Sequence, residues 1–138
     1  MNRTPVALTA GEQFDTKQIG PITQTDIVRF AGAGGDFNPL HHDSAYAARA
    51  GLTGVISMGQ MQAGMLAAWI TDLVHVEHLL SYSVRFASPL SVGEVLELGG
   101  QVELVDATTG TATLSVHAKS ADRVVITGSA RVRVSLSD

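Results

Sequence analysis

Residues 50–71, AGLTGVISMGQMQAGMLAAWIT, run for 22 positions without a charged side chain, and how that run is read decides the fold. An uncharged stretch longer than about 18 residues is formally a candidate for a membrane span. Here, however, Thr53, Ser57, Gln60, Gln62 and Thr71 are polar, Gly51, Gly54, Gly59 and Gly64 interrupt the apolar residues, and no basic cluster flanks either end to set an orientation. The reading adopted is a helix buried inside a soluble protein, as an all-round apolar helix should be. Met61, Met65, Ala68, Trp69 and Leu73 follow three- and four-residue steps, which predicts a helix over about 57–74. Ala63, Gly64 and Ala67 keep that helix slim, so a sheet can approach it closely.

The sheet is expected from the second half of the chain. Leu96, Leu98, Val102 and Leu104 share one parity, with Glu97, Gln101 and Glu103 on the other, a period of two that suits a strand and not a helix. Ala112, Leu114, Val116 and Ala118 alternate with Thr111, Thr113, Ser115 and His117, and Val124, Ile126, Ala130, Val132 and Val134 alternate with Thr127, Ser129, Arg131 and Arg133. Turn residues at 89–93, 107–110 and 120–123 separate predicted strands at 81–87, 94–105, 111–119 and 124–134. A buried helix followed by an antiparallel meander gives an α+β architecture, one domain over residues 1–138.

Composition narrows the function. Nine Lys or Arg and 13 Asp or Glu make 16% of the 138 residues and leave a net charge of −4, against ~25% charged in ordinary soluble domains. Cover this thin suggests that part of the surface lies against another chain. The absence of cysteine excludes disulfides, thiol nucleophiles and zinc-thiolate sites. The scattered bases form no stripe of the kind nucleic acid needs. The start of the chain opens no long apolar segment, so the expectation is a cytoplasmic protein with neither membrane nor nucleic acid as partner.

The first forty residues read as a leader strand and a short helix. Thr23 with Asp26 forms a capping-box variant ahead of Ile27, Val28 and Phe30, and Gly32, Gly34 and Gly35 end the helix. Asn38 caps a second helix that has Pro39 at its first position and Gly51 at its exit. This puts His41 in a first turn beside the loop that carries Asp36, where carboxylate and imidazole can face one water molecule as a general acid/base pair. His42 and Asp43 read as solvated first-turn residues, and His75 and His78 as C-terminal caps of the buried helix. Adjacent His41 and His42 point about 100° apart on a helix and have no third spaced ligand, so no metal is expected. The glycines around Gly34 lack the lysine and hydroxyl residue of a phosphate loop.

The segment from Phe30 through Gly34-Gly35-Asp36-Phe37-Asn38-Pro39-Leu40-His41 resembles the Gly-Asp-x-Asn-Pro-x-His signature of the MaoC-like, (R)-specific enoyl-thioester hydratases. Arg85-Phe86 with Pro89 and Gly93-Glu94 is similar to a second segment of that family. The resemblance implies a hot-dog fold, an antiparallel sheet wrapped around a long central helix, forming a homodimer or higher homo-oligomer. It implies addition of water across a trans-2-enoyl thioester of CoA or acyl carrier protein to give a (3R)-3-hydroxyacyl thioester, or the reverse, with no metal or redox cofactor. Asp36 and His41 would hold the water and move its proton, and Asn38 would brace their loop. The Gly59 N–H at the start of the central helix would donate to the developing enolate. Relatives commonly carry Ala-His-Gly-Met where this chain has Ser57-Met58-Gly59-Gln60, so the expected substrate contacts at Ser57, Met58 and Gly59 include a departure at Met58. A hot-dog thioesterase and a non-catalytic acyl-binding subunit are the competing readings, because fold alone does not settle function.

Overall fold

The computed structural model describes residues 2–136. In chain order the elements are β1 (Lys17–Ile19), α1 (Gln24–Gly34), a 3-10 turn (Pro39–His41), α2 (Ser44–Arg49), α3 (Gly59–Val74), a second 3-10 turn (Val76–His78), β2 (Leu79–Phe86), β3 (Leu96–Asp106), β4 (Thr111–Ser120) and β5 (Arg123–Arg133). The strands form one antiparallel sheet in the order β1-β3-β4-β5-β2. Its inner face packs on α3: Leu66, Ile70 and Val74 of the helix join Leu98, Val102, Leu114, Ile126 and Val132 of the strands in one core. Complete burial of side chains of this size stabilises the fold by roughly 1.5–3 kcal/mol each. This is the expected α+β hot-dog arrangement. No helix among the described residues is long and apolar enough to cross a membrane.

Local signals set several boundaries. Thr23 Oγ1 accepts from the Asp26 N–H at 3.1 Å while the Thr23 N–H donates to Asp26 Oδ2 at 2.9 Å, a complete capping box. The expected second helix is divided. Pro39–His41 forms only a 3-10 turn, and Asp43 then starts α2 by accepting the Tyr46 N–H at 3.0 Å. Asp43 is therefore solvated, as expected, but stands at the N-cap of α2 and not in a first turn.

Three expectations fail for reasons of packing. The α3 helix forms as expected, with Met61 and Trp69 in the core and Met65 and Leu73 packed against it. Its buried side, however, runs through Gln62, Leu66, Ile70 and Val74, while Ala68 faces outward and so does Gly64, which was expected to let the sheet approach. An almost uniformly apolar helix does not mark its buried side by periodicity. Leu104 is exposed because a bulge between Val102 and Leu104 adds a residue to β3 and reverses the alternation beyond it. Finally, the His75 main chain caps α3 through Thr71 O, whereas the His78 ring is buried and its Nε2–H donates to Arg3 O. Glu77 beside it takes the Arg3 guanidinium, so this corner anchors the leading segment.

Candidate active site

Helix α1 ends on Gly35, whose left-handed φ of 71° turns the chain and lets the Asp36 N–H return to Ala31 O at 3.0 Å. Asp36 Oδ1 accepts the Asn38 N–H at 3.3 Å, and Asn38 Oδ1 accepts the Leu40 N–H at 3.0 Å. Two successive side-chain turns thus deliver His41 beside Asp36. A distant segment then fixes the ring. The Ile56 N–H donates to Leu40 O at 3.0 Å, His41 Nδ1 bonds Ile56 O at 2.7 Å, and the Ser57 N–H reaches Leu90 O at 2.7 Å. Residues 56 and 57 therefore join the acidic loop to the start of α3 and to the loop after β2.

A carbonyl can only accept, so His41 Nδ1 carries a proton and Nε2 is the nitrogen left for chemistry. Nε2 lies 3.4 Å from Asp36 Oδ2, slightly beyond an ordinary N–H···O bond. The imidazole side chain is 9% exposed and the carboxylate 44%, so one partner is held rigidly and the other meets solvent. Both open on a cavity of about 530 Å³, whose other walls are the first turn of α3, the 86–89 lip and Val125.

The expected site residues fall as follows. Asp36, His41, Ser57, Met58 and Gly59 all line this cavity, while Asn38 stands behind it as the brace of the turn. Met58 is buried and precedes α3 without a side-chain cap, and the first N–H groups of a helix have no intrahelical acceptor. The Gly59 N–H is therefore not consumed by the helix. The residue is also sterically constrained, because a Cβ there would meet Phe86 Cε1 at 2.7 Å. Ser57 Oγ donates to Gln62 Oε1 at 2.6 Å, which commits its proton inside the protein.

Other contributors carry little sequence signal. The Ile56 carbonyl fixes the His41 tautomer, and main-chain groups leave no mark on residue type. Val125 reaches the cavity because a bulge in β5 opposite Ala118 and Lys119 makes it an extra residue in the strand. Arg123 ties the lip down by donating to Ser88 Oγ and Pro89 O, both at 2.6 Å, and to Glu94 Oε1. Burial acts to raise the Glu94 pKa, but the Ser91 N–H together with Arg123 and Ser120 outweighs it and holds the carboxyl below its ordinary value. Gln62 was visible only as a polar residue inside an apolar helix. Among the described residues no group of three His, Asp or Glu side chains is arranged to hold a metal ion.

The family model described as a MaoC-like domain matches residues 5–125. A 3-hydroxybutyryl-CoA dehydratase of Methylorubrum extorquens is 30% identical over 115 residues, covering 82% of this chain and 73% of that protein. Among solved structures, a MaoC-like dehydratase superposes with a TM-score of 0.88 at 28% identity over 96% of this chain, which spans only 44% of that one. The (R)-hydratase from A. caviae involved in PHA biosynthesis gives 0.81 at 23% identity, covering 93% and 98% of the two chains, and shares the fold.

Proposed function

The chain belongs to the MaoC-like dehydratase family, and from that premise we propose that it interconverts trans-2-enoyl and (3R)-3-hydroxyacyl thioesters, with Asp36 and His41 as its acid/base pair. The observation that carries this reading is the 3.4 Å approach of His41 Nε2 to Asp36 Oδ2 on the wall of a cavity. A water about 2.8 Å from both atoms sits at the apex of that triangle and gives one hydrogen to each. In hydration its oxygen bonds to C3 as a proton leaves for the pair, and a proton is returned to C2 on the same face. Dehydration is the reverse. Charge gathers meanwhile on the thioester oxygen, where the Gly59 N–H and the positive end of α3 meet it.

Asp36→Asn and His41→Ala test the reading. General acid/base catalysis contributes roughly 10²–10⁴-fold, so each substitution should lower crotonyl-CoA hydration at least a hundredfold. Asp36 is partly exposed, and the bond it accepts from the Asn38 N–H suits an amide oxygen equally well. Its asparagine variant should therefore stay within about 0.5 kcal/mol of the parent in stability. A loss below tenfold in both variants, about 1.4 kcal/mol of barrier, removes the assignment. Release of free CoA without prior loss of the enoyl absorbance would favour the thioesterase instead.

The reading includes a homodimer. The eight-residue β2 is an edge strand with Arg85 as its sole charge and with Leu80 and Phe86 exposed, the kind of edge that pairs with another chain. The accessible surface of 7782 Å² also exceeds the about 6,800 Å² expected of a monomer of this length. Sedimentation as a monomer, or activity only with a second kind of chain, contradicts it.

A further inference from the structure

Helix α3 buries one amide side chain on its apolar face. Gln62 is 2% exposed and sits among Met61, Ala63 and Leu66 on the side that meets the sheet. Burying an amide costs free energy unless its donors and acceptor are used. Its acceptor is used, since Ser57 Oγ donates to Oε1 at 2.6 Å. Its NH2 group is not: among the described residues no acceptor lies within hydrogen-bond reach of Nε2, and that atom is not sealed in the core. Gln62 lines the cavity that Asp36 and His41 share, one helical turn along α3 from Gly59.

A depth reached by so buried a residue admits the slim acyl tail of a thioester and not its bulky carrier. A plain alkyl tail packed there covers the NH2 group and leaves it without any acceptor. A tail bearing an oxygen acceptor satisfies it. The acceptor is further limited by charge, because among the described residues no Lys or Arg lines the cavity and Asp36 already brings a carboxylate to it. A tail ending in a carboxylate would bury an anion with no compensating cation.

We propose that Gln62 is a specificity-determining residue whose NH2 group selects enoyl thioesters carrying a neutral oxygen acceptor, a keto or hydroxyl group, on the acyl tail over plain alkyl chains of the same length. This rests on the reading of Asp36 and His41 as the acid/base pair. Sites built to hydrogen-bond a substrate group discriminate strongly against analogues lacking it, since the protein group is then left unpaired.

The test compares kcat/KM of the purified protein for trans-2-hexenoyl-CoA and for its 5-oxo and 5-hydroxy derivatives, with a carboxylate-tailed enoyl-CoA as a fourth substrate. At least one of the neutral oxygen-bearing chains is expected to exceed the alkyl chain tenfold or more. In Gln62→Met, which keeps volume and loses the donor, that ratio should fall to within about threefold of unity. No preference in the parent protein, a preference for the carboxylate, or a ratio unchanged in Gln62→Met each overturns the proposal. The parent ratio needs no variant, so misfolding of Gln62→Met leaves the test decisive. If no thioester is hydrated, the acid/base reading has failed, and the tail preference is then read separately from calorimetric Kd values for the same four compounds: a tenfold tighter Kd for a neutral oxygen-bearing chain supports it, and equal values overturn it.

Discussion

Replacing Gly59 by alanine and, separately, by proline isolates a single N–H group. Both variants bring a Cβ to 2.7 Å from Phe86 Cε1 and 2.9 Å from Cδ1, so both must turn the ring. Phe86 is 52% exposed within one protomer and its ring can turn there, which puts the cost at the low end of the overpacking range, about 1 kcal/mol, or roughly 3–4 °C in Tm. Proline adds little to that cost. Gly59 is the first residue of α3, where a missing N–H costs the helix nothing, and Met58 before it lies at φ −84°, ψ 140°, the extended conformation that a following proline demands. The two variants should therefore share one stability and one altered cavity mouth, and differ in the N–H. If that group stabilises the enolate oxygen, kcat for crotonyl-CoA should fall a further 10²–10³-fold in Gly59→Pro relative to Gly59→Ala, about 2.7–4 kcal/mol. The assay is the loss of enoyl absorbance at saturating substrate, with thermal unfolding of both variants as the control. Equal Tm values and kcat values within tenfold of each other would refute the assignment of Gly59 as the donor.

Glu94→Gln should cost about 1–2 kcal/mol at neutral pH, because it replaces a carboxylate that accepts from Arg123, Ser120 and the Ser91 N–H. With the Glu94 carboxyl held below its ordinary value, that stabilisation is present above about pH 4.3 and is lost as the pH falls through the folded-state pKa. Urea midpoints of the two proteins should thus converge in acid, and a constant gap would contradict the argument. Loosening of the 86–89 lip should also raise KM in this variant more than it lowers kcat. Burial pushes the Tyr82 phenol up to about 12, and its O–H donates to Ala63 O at 2.8 Å. The resulting stabilisation is complete below the unfolded value of about 10 and disappears as the pH rises through 12, so the Tyr82 phenolate absorbance should appear only near that pH. Its reversible appearance near pH 10 in folded protein would count against the burial argument.

The two halves of the site differ in how far they were legible. Asp36, Asn38 and His41 lie within six residues of one another, and the turn that joins them is made by Asn38, Pro39 and Gly35, each of which acts on a neighbour no more than five positions away. The capping box at Thr23 and Asp26 was readable on the same ground. Ile56, which fixes the His41 tautomer, lies 15 residues from it, and Arg123 lies 34 and 35 from the lip residues it holds. No local rule connects such pairs.

By itself, then, the sequence determined what depends on short range and on period: the α1 cap, the turn into His41, the antiparallel strands, the α+β class and the family signature. The tertiary structure alone decided which side of α3 is buried, because packing against the sheet selects a side that a nearly uniform apolar helix does not encode. It decided the bulges that expose Leu104 and bring Val125 into the cavity, since an extra residue in a strand is defined only by its partner across the ladder. It also gave Gly59 and Gln62 their particular constraints, one facing the Phe86 ring and the other holding a buried amide side chain at the cavity.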